Sequence, residues 1–217
     1  LFRSMTQIKI CGLKREVDLE ASITYGASWS GYIFCERSIR NISLDQAKTF
    51  NSIAKNRIGK VAVFVNPSLK LLKNAILTLK PDLIQLHGIE TPQQCKEIYK
   101  ITGIPIIKAI SLESITSLIR YKKYIGNVQG FLFDSKLSKE KLEGKKGQTF
   151  DWKVLNDFNE DFDWILAGGL KPGNIINAIR TTKAKIVDVS SGVEKEPGKK
   201  CHSLIKNFIK NANSINL

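Results

Sequence analysis

Ile186-Val-Asp-Val-Ser-Ser-Gly-Val-Glu194, read together with Leu166-Ala-Gly-Gly-Leu170 upstream, decides how this chain is laid out. Each stretch is a short apolar run of strand length that passes into a turn of glycine or serine and then into a helical segment. Small side chains at such a junction expose backbone N–H groups where a helix begins, and unpaired donors together with the helix dipole stabilise an anion there. Two of these junctions in succession near the C-terminus read as a phosphate grip for a small substrate.

Working outward, strand-length apolar runs recur at Ile8–Cys11, Trp29–Phe34, Val61–Val65, Leu83–Leu86, Ile106–Ala109, Gly130–Asp134, Trp164–Ala167 and Ile186–Val189. Helical segments lie between them, among them Val17-Leu19-Ala21-Ile23, Ala47-Phe50-Ile53-Ala54 and Leu204-Ile205-Phe208-Ile209. Ser43, Thr91-Pro92 and Lys171-Pro172 supply helix-start signals. Strands that are apolar throughout imply burial on both faces. Eight strand–helix units predict an α/β fold, a single-domain (β/α)8 barrel over residues 5–217. An open doubly wound sheet is the alternative. No G-x-G-x-x-G follows the first strand and no G-x-x-x-x-G-K-[ST] occurs, which counts against dinucleotide and nucleoside-triphosphate binding. Leu1 to Ser4, ahead of Met5, are too few for a signal peptide and read as a cloning scar.

At 217 residues and 42% apolar composition, the chain can bury a core without a disulfide or metal staple. Its four cysteines are irregularly spaced and it has two histidines, so no structural metal site is expected. Free thiols suggest the cytoplasm, and no apolar run approaches the roughly 20 residues of a membrane span. The formal charge of +14 raises the question of a nucleic-acid partner. Lysines supply 27 of the 34 basic residues and are spread along the chain, whereas specific readers of phosphate and bases lean on arginine. A lysine-rich solvated surface is the preferred account; neither a nucleic-acid nor a membrane partner is expected, and the chain is a monomer or a homodimer.

In a barrel, chemistry gathers where strands end. Those positions hold Cys11-Gly12, the loop Cys35 to Arg40, His87-Gly88, Asp134-Ser135 and the two phosphate-type turns. Taken singly, each has a plainer reading. A lone cysteine is usually a small core hydrophobe, an aspartate after a strand usually caps a helix, and an arginine is usually a surface charge. His87 is either a structural histidine or a substrate contact. Cys35, Cys95 and Cys201 read as structural. Ser190 and Ser191 have no histidine neighbour in the pattern, so they suit phosphate donors better than nucleophiles.

Taken together, Lys9-Ile-Cys-Gly12, Val63-Phe-Val-Asn66, Gln85-Leu-His-Gly88, Phe150-Asp-Trp152, Ala167-Gly-Gly-Leu170 and Val187 to Glu194 with Pro197-Gly-Lys199 closely resemble the phosphoribosylanthranilate isomerase family. The resemblance implies a (β/α)8 barrel of tryptophan biosynthesis that needs no cofactor and no metal. It implies conversion of the phosphosugar N-(5-phosphoribosyl)anthranilate to 1-(2-carboxyphenylamino)-1-deoxyribulose 5-phosphate. It places a general base on Cys11, a general acid on Asp134 and an anthranilate-carboxylate contact on Arg40. Substrate phosphate falls to Gly168-Gly169 and Ser190-Ser191-Gly192.

A thiol must become a thiolate to act as a base, and Lys9, two residues from Cys11 on one strand face, is expected to lower its pKa. Two features depart from the family pattern. The glycine-rich run before Phe150 is Gly144-Lys-Lys-Gly147 here, which is expected to add attraction for an anionic substrate. Trp29-Ser30 is bulkier and more polar than the small or aliphatic pair usual there. Other phosphate-binding barrels, a binding-only protein and a barrel that has lost its activity are the competing readings. A paired-carboxylate or metal-liganding rim would favour the other barrels.

Overall fold

The computed structural model describes residues 6–112, 115–134, 152–156, 158, 160 and 162–215. Eight parallel strands close on themselves in chain order: β1 Gln7–Cys11, β2 Trp29–Phe34, β3 Gly59–Phe64, β4 Leu83–Leu86, β5 Ile106–Ser111, β6 Gly130–Asp134, β7 Asp163–Ala167 and β8 Ile186–Val189. The seam is made by β1 and β8, where Lys9 stands opposite Asp188. Among the described residues the helices are α1 Glu16–Thr24, α2 Leu44–Ala54, α3 Leu69–Leu79, α4 Pro92–Thr102, α5 Ile115–Leu118, α6 Ile175–Thr182 and α7 His202–Ala212. The barrel expected from the sequence is therefore the observed fold. The Gly144-Lys-Lys-Gly147 run, Ser135 and the Phe150-Asp151 half of its motif lie outside the described residues.

Period-two alternation sorts the strand residues into two layers. On β6, Phe131 and Phe133 point outward, where they pack against Tyr121, Phe158 and Trp164 beneath the helices. Leu132 points into the barrel with Ile107 and Ile165. The same alternation sends Ile8 and Ile10 to the outer core and leaves Cys11 with Val61 and Val63 in the interior. The interior is thus not uniformly apolar: Lys9, Gln85, Asp134 and Asp188 are all buried.

Local chemistry starts the helices as read, with one exception. Ser43 and Thr91 each close a capping box, with Gln46 and Gln94, and Pro92 follows Thr91 at the first helical turn. Such caps contribute about 1 kcal/mol each. The expected start at Lys171-Pro172 instead falls three residues later, at Ile175. Asn174 accepts from the Lys171 N–H at 2.8 Å and donates to the Gly169 carbonyl at 2.9 Å, so residues 171–174 form a turn bound to the glycine pair. After β8 the chain makes a three-residue 3-10 turn, Ser191–Val193, then a small hairpin of Glu194–Glu196 with Lys199–Lys200, and only then α7. The hairpin is charged throughout, so no apolar period announces it.

Candidate active site

The strand ends gather around a cavity of about 240 Å3 at the C-terminal mouth of the barrel. Cys11, Arg40, His87, Asp134, Gly168, Gly169, Ser190, Ser191 and Gly192 all line it, as do Gln85, Cys35 and Asp188. Cys35, read from the sequence as structural, is thereby placed beside the cavity. Cys95 is buried under the helices, and Cys201 precedes α7 with its thiol 3.2 Å from Ser203 Oγ.

Cys11 ends β1 facing inward, with its backbone pressed against β2. A Cβ on Gly31 would stand 3.0 Å from Cys11 Sγ and 3.2 Å from Lys9 Cε, so any other residue would press on both side chains. Lys9 adjoins the thiol as expected, but it is also ion-paired with Asp188 at 2.9 Å. Burial pushes the Cys11 pKa up, and Asp188 adds to this; the cations Lys9 and Lys200 oppose it without prevailing. Lys9 acts in the expected direction, yet desolvation outweighs it, and the net shift is upward. Burial alone would lower the Lys9 pKa, but Asp188 and Cys11 together raise it.

Asp134 ends β6 with its carboxyl only 9% exposed. Its Oδ1 is buried with no hydrogen-bond partner among the described residues, and Oδ2 lies 3.4 Å from His87 Nε2. His87 Nδ1 in turn lies 3.0 Å from Gln85 Nε2, two residues back along the same face of β4.

Arg40 sits in a loop braced by Asn41, whose Oδ1 accepts from the Cys35 N–H at 2.7 Å. Its guanidinium makes two bonds to Glu194, Nε to Oε1 at 2.7 Å and Nη2 to Oε2 at 2.5 Å. The Nε/Nη2 edge of the fork is therefore engaged by Glu194, leaving the Nη1 donors and the second Nη2 hydrogen for another partner. Lys200 also binds Glu194 Oε1 at 2.8 Å and reaches the Ser190 carbonyl at 3.0 Å. Burial would raise the Glu194 pKa, but the hydrogen bonds from Arg40 and Lys200 win and hold it at about 2. Lys200 has the same partner yet its pKa is lowered, because its desolvation outweighs one carboxylate. Sequence reasoning missed both Glu194 and Lys200 as part of this site. The signal available was the Glu194 that closes the β8 motif, but its partner is 154 positions away.

The two phosphate-type turns touch each other. Gly168 and Gly169 hold φ of +87° and +64°, a region that disfavours other residues. A Cβ on Gly192 would come within 1.8 Å of the Leu170 carbonyl oxygen, so the turn after β8 rests directly on the turn after β7. Gly12 (φ +75°) has the same kind of constraint: a Cβ there would meet Arg40 Cδ at 2.6 Å. Among the described residues no cluster of three or more His, Cys, Asp or Glu could hold a metal ion, and no helix is long and apolar enough to cross a membrane.

This arrangement offers the Cys11 thiol, the Asp134 carboxyl with a histidine beside it, a cation network and a pair of close-packed small-residue turns. Residues 8–211 match the family model described as N-(5'-phosphoribosyl)anthranilate (PRA) isomerase. The N-(5'-phosphoribosyl)anthranilate isomerase of Rhodopseudomonas palustris (strain BisB5) is 38% identical over 206 residues, 94% of each chain. Its namesake from Allorhizobium ampelinum is 41% identical over 194 residues, 89% of this chain and 87% of its own. Among solved structures, phosphoribosyl anthranilate isomerase from Thermotoga maritima superposes with a TM-score of 0.88 at 34% identity, covering 97% of this chain and 100% of its own. A second structure of such an enzyme, in complex with reduced 1-(o-carboxyphenylamino)-1-deoxyribulose 5-phosphate, gives 0.85 at 32% identity over the same shares.

Proposed function

The chain belongs to the N-(5'-phosphoribosyl)anthranilate isomerase family, and from that premise we infer that Cys11 and Asp134 are its base and acid. The protein is an isomerase that converts N-(5'-phosphoribosyl)anthranilate to 1-(2-carboxyphenylamino)-1-deoxyribulose 5-phosphate in tryptophan biosynthesis. The observation that carries the assignment of roles is a single cavity lined by Cys11 from β1, Asp134 from β6 and the turns after β7 and β8. Asp134 delivers a proton to the ribose ring oxygen, and the ring opens to an imine. Cys11 then removes the C2′ proton, giving an enolamine that tautomerises to the ketone. The turns at Gly168-Gly169 and Ser190-Gly192 hold the phosphate and fix the sugar between the two groups. Arg40, anchored by Glu194, offers its remaining donors to the anthranilate carboxylate. The four cysteines are free thiols, which fits a reducing compartment, the cytoplasm.

The test is turnover of freshly generated phosphoribosylanthranilate, followed by loss of its fluorescence. Cys11→Ala and Asp134→Asn should each lower kcat by roughly 10²–10⁴-fold with modest change in KM. Because burial raises the Cys11 pKa, the thiolate fraction grows with pH beyond the ordinary thiol range. Alkylation of Cys11 by iodoacetamide should therefore accelerate only at more alkaline pH than for a free cysteine. Removing a cation in Lys200→Met should push that limb higher still. Near-parent turnover in Cys11→Ala would end the general-base assignment.

A further inference from the structure

We propose that Gln85 is a positioning residue that fixes the tautomer of the neutral His87 ring, so that Nε2–H faces the Asp134 carboxyl while that group gives up its proton. This rests on the reading of Asp134 as general acid. Gln85 is 1% exposed, on an inward position of β4 between Val63 of β3 and Ile107 of β5. Its Nε2 lies 3.0 Å from His87 Nδ1. An amide nitrogen can only donate, so Nδ1 must accept, and the ring proton is placed on Nε2. Nε2 is the atom 3.4 Å from Asp134 Oδ2.

The opposite amide orientation would set the opposite tautomer, and one observation favours the one described. Gln85 Oε1 is buried without a partner among the described residues; the reversed amide would bury its NH2 there instead, and orphaned donors are rarer than under-satisfied carbonyls.

The tautomer matters because charge moves. As Asp134 protonates the sugar ring oxygen, its carboxyl becomes a carboxylate, and an Nε2–H donor at Oδ2 stabilises that charge as it develops. The resting separation is long for a hydrogen bond, so the interaction strengthens in the transition state more than in the ground state. The other tautomer would present a lone pair to Oδ2 and oppose the same step. A contact of this kind is felt in kcat rather than in KM.

The chain has two histidines, so long-range ¹H–¹⁵N correlation spectra of the labelled full-length protein resolve each ring, with His202→Asn assigning the pair. The parent should show His87 protonated at Nε2 and bare at Nδ1. Gln85→Leu should lose that single pattern and lower kcat roughly ten- to a hundredfold, with KM within about threefold. Gln85→Glu, which accepts only when ionised, should in that form move the proton to Nδ1. An Nδ1–H ring in the parent would overturn the proposal without recourse to any variant, even if the substitutions fail to fold. Parent-like kcat in a well-folded Gln85→Leu would overturn it as well. Full turnover in Asp134→Asn would remove the general-acid reading, and the role given to the tautomer with it, even where the spectrum shows Nε2–H.

Discussion

Glu194 shows how one carboxylate can organise a site it does not catalyse. Only 4% exposed, it binds Arg40 through two bonds and Lys200 through a third. The guanidinium is therefore held before any substrate carboxylate arrives, so less freedom is lost on binding. The same contacts hold its pKa at about 2, against an ordinary 4.5. A carboxylate with a depressed native pKa contributes stability that is complete above the unfolded value and disappears as pH falls through the native one. Glu194→Gln should thus cost about 2–3 kcal/mol at pH 7 in urea unfolding, and the parent–variant difference should narrow between about pH 5 and pH 2. A difference that stays constant over that window would mean that Glu194 is not ionised as a partner of Arg40 and Lys200. Cys11 carries the complementary lesson. The neighbour read from the sequence as its activator is present, but its charge is shared with Asp188, and burial sets the direction.

At the scale of elements, legibility followed period and composition. The eight strands were readable because parallel strands buried on both faces are mostly apolar, and observed bounds differ from the reading by at most two residues. Ser43 and Thr91 were readable as caps because their chemistry is local. The start of α6 was not, because Asn174 spends its side chain on the preceding turn and delays the helix. The hairpin at Glu194–Lys200 was invisible because its residues are charged and its role is to carry Glu194 and Lys200 back to the cavity. The residues named at the strand ends line one cavity, but Glu194 and Lys200 were missed and the cross-barrel pairs were not legible: spacing along the chain says nothing about partners separated by 154 or 179 positions. The contact between the β7 and β8 turns is another such relation, and it yields a prediction. Gly192→Ala puts a methyl 1.8 Å from the Leu170 carbonyl and must wedge the two turns apart. We expect KM to rise roughly tenfold and competition by inorganic phosphate to weaken in parallel, with kcat changed only a few-fold. At Gly169 a Cβ meets no protein atom within 4 Å, so Gly169→Ala would not wedge the turns and adds backbone strain at φ +64°, about 1 kcal/mol of stability. Unaltered KM in Gly192→Ala would show that the turns do not act as one phosphate grip.

For the whole molecule, the decisive act is closure of the barrel at the β1–β8 seam, and there the fold places a buried ion pair. Lys9 is 1% exposed and Asp188 10%, with 2.9 Å between Nζ and Oδ1, and the two are register partners across the seam. A ring of strands has no free edge, so whichever pair closes it joins segments from opposite ends of the chain at a large loop-closure cost. Two opposite charges buried at that seam disfavour closure in any register that separates them, because a lone buried charge is far more costly than a matched pair. The pair need not add net stability over apolar residues of similar size; its contribution is selectivity among ways of closing. These two effects separate in a double-mutant cycle. Asp188→Leu leaves the ammonium uncompensated and should lose about 3–5 kcal/mol, and Lys9→Met should strand the carboxylate at a similar cost. Lys9→Met/Asp188→Leu should recover most of that loss, since neither charge remains. Chemical denaturation of the four proteins at pH 7 measures the coupling directly. If the double variant is instead as unstable as the sum of the singles, the seam is held by packing and strand hydrogen bonds alone. The charges would then serve only the cavity above them, where Asp188 already stands beside Cys11.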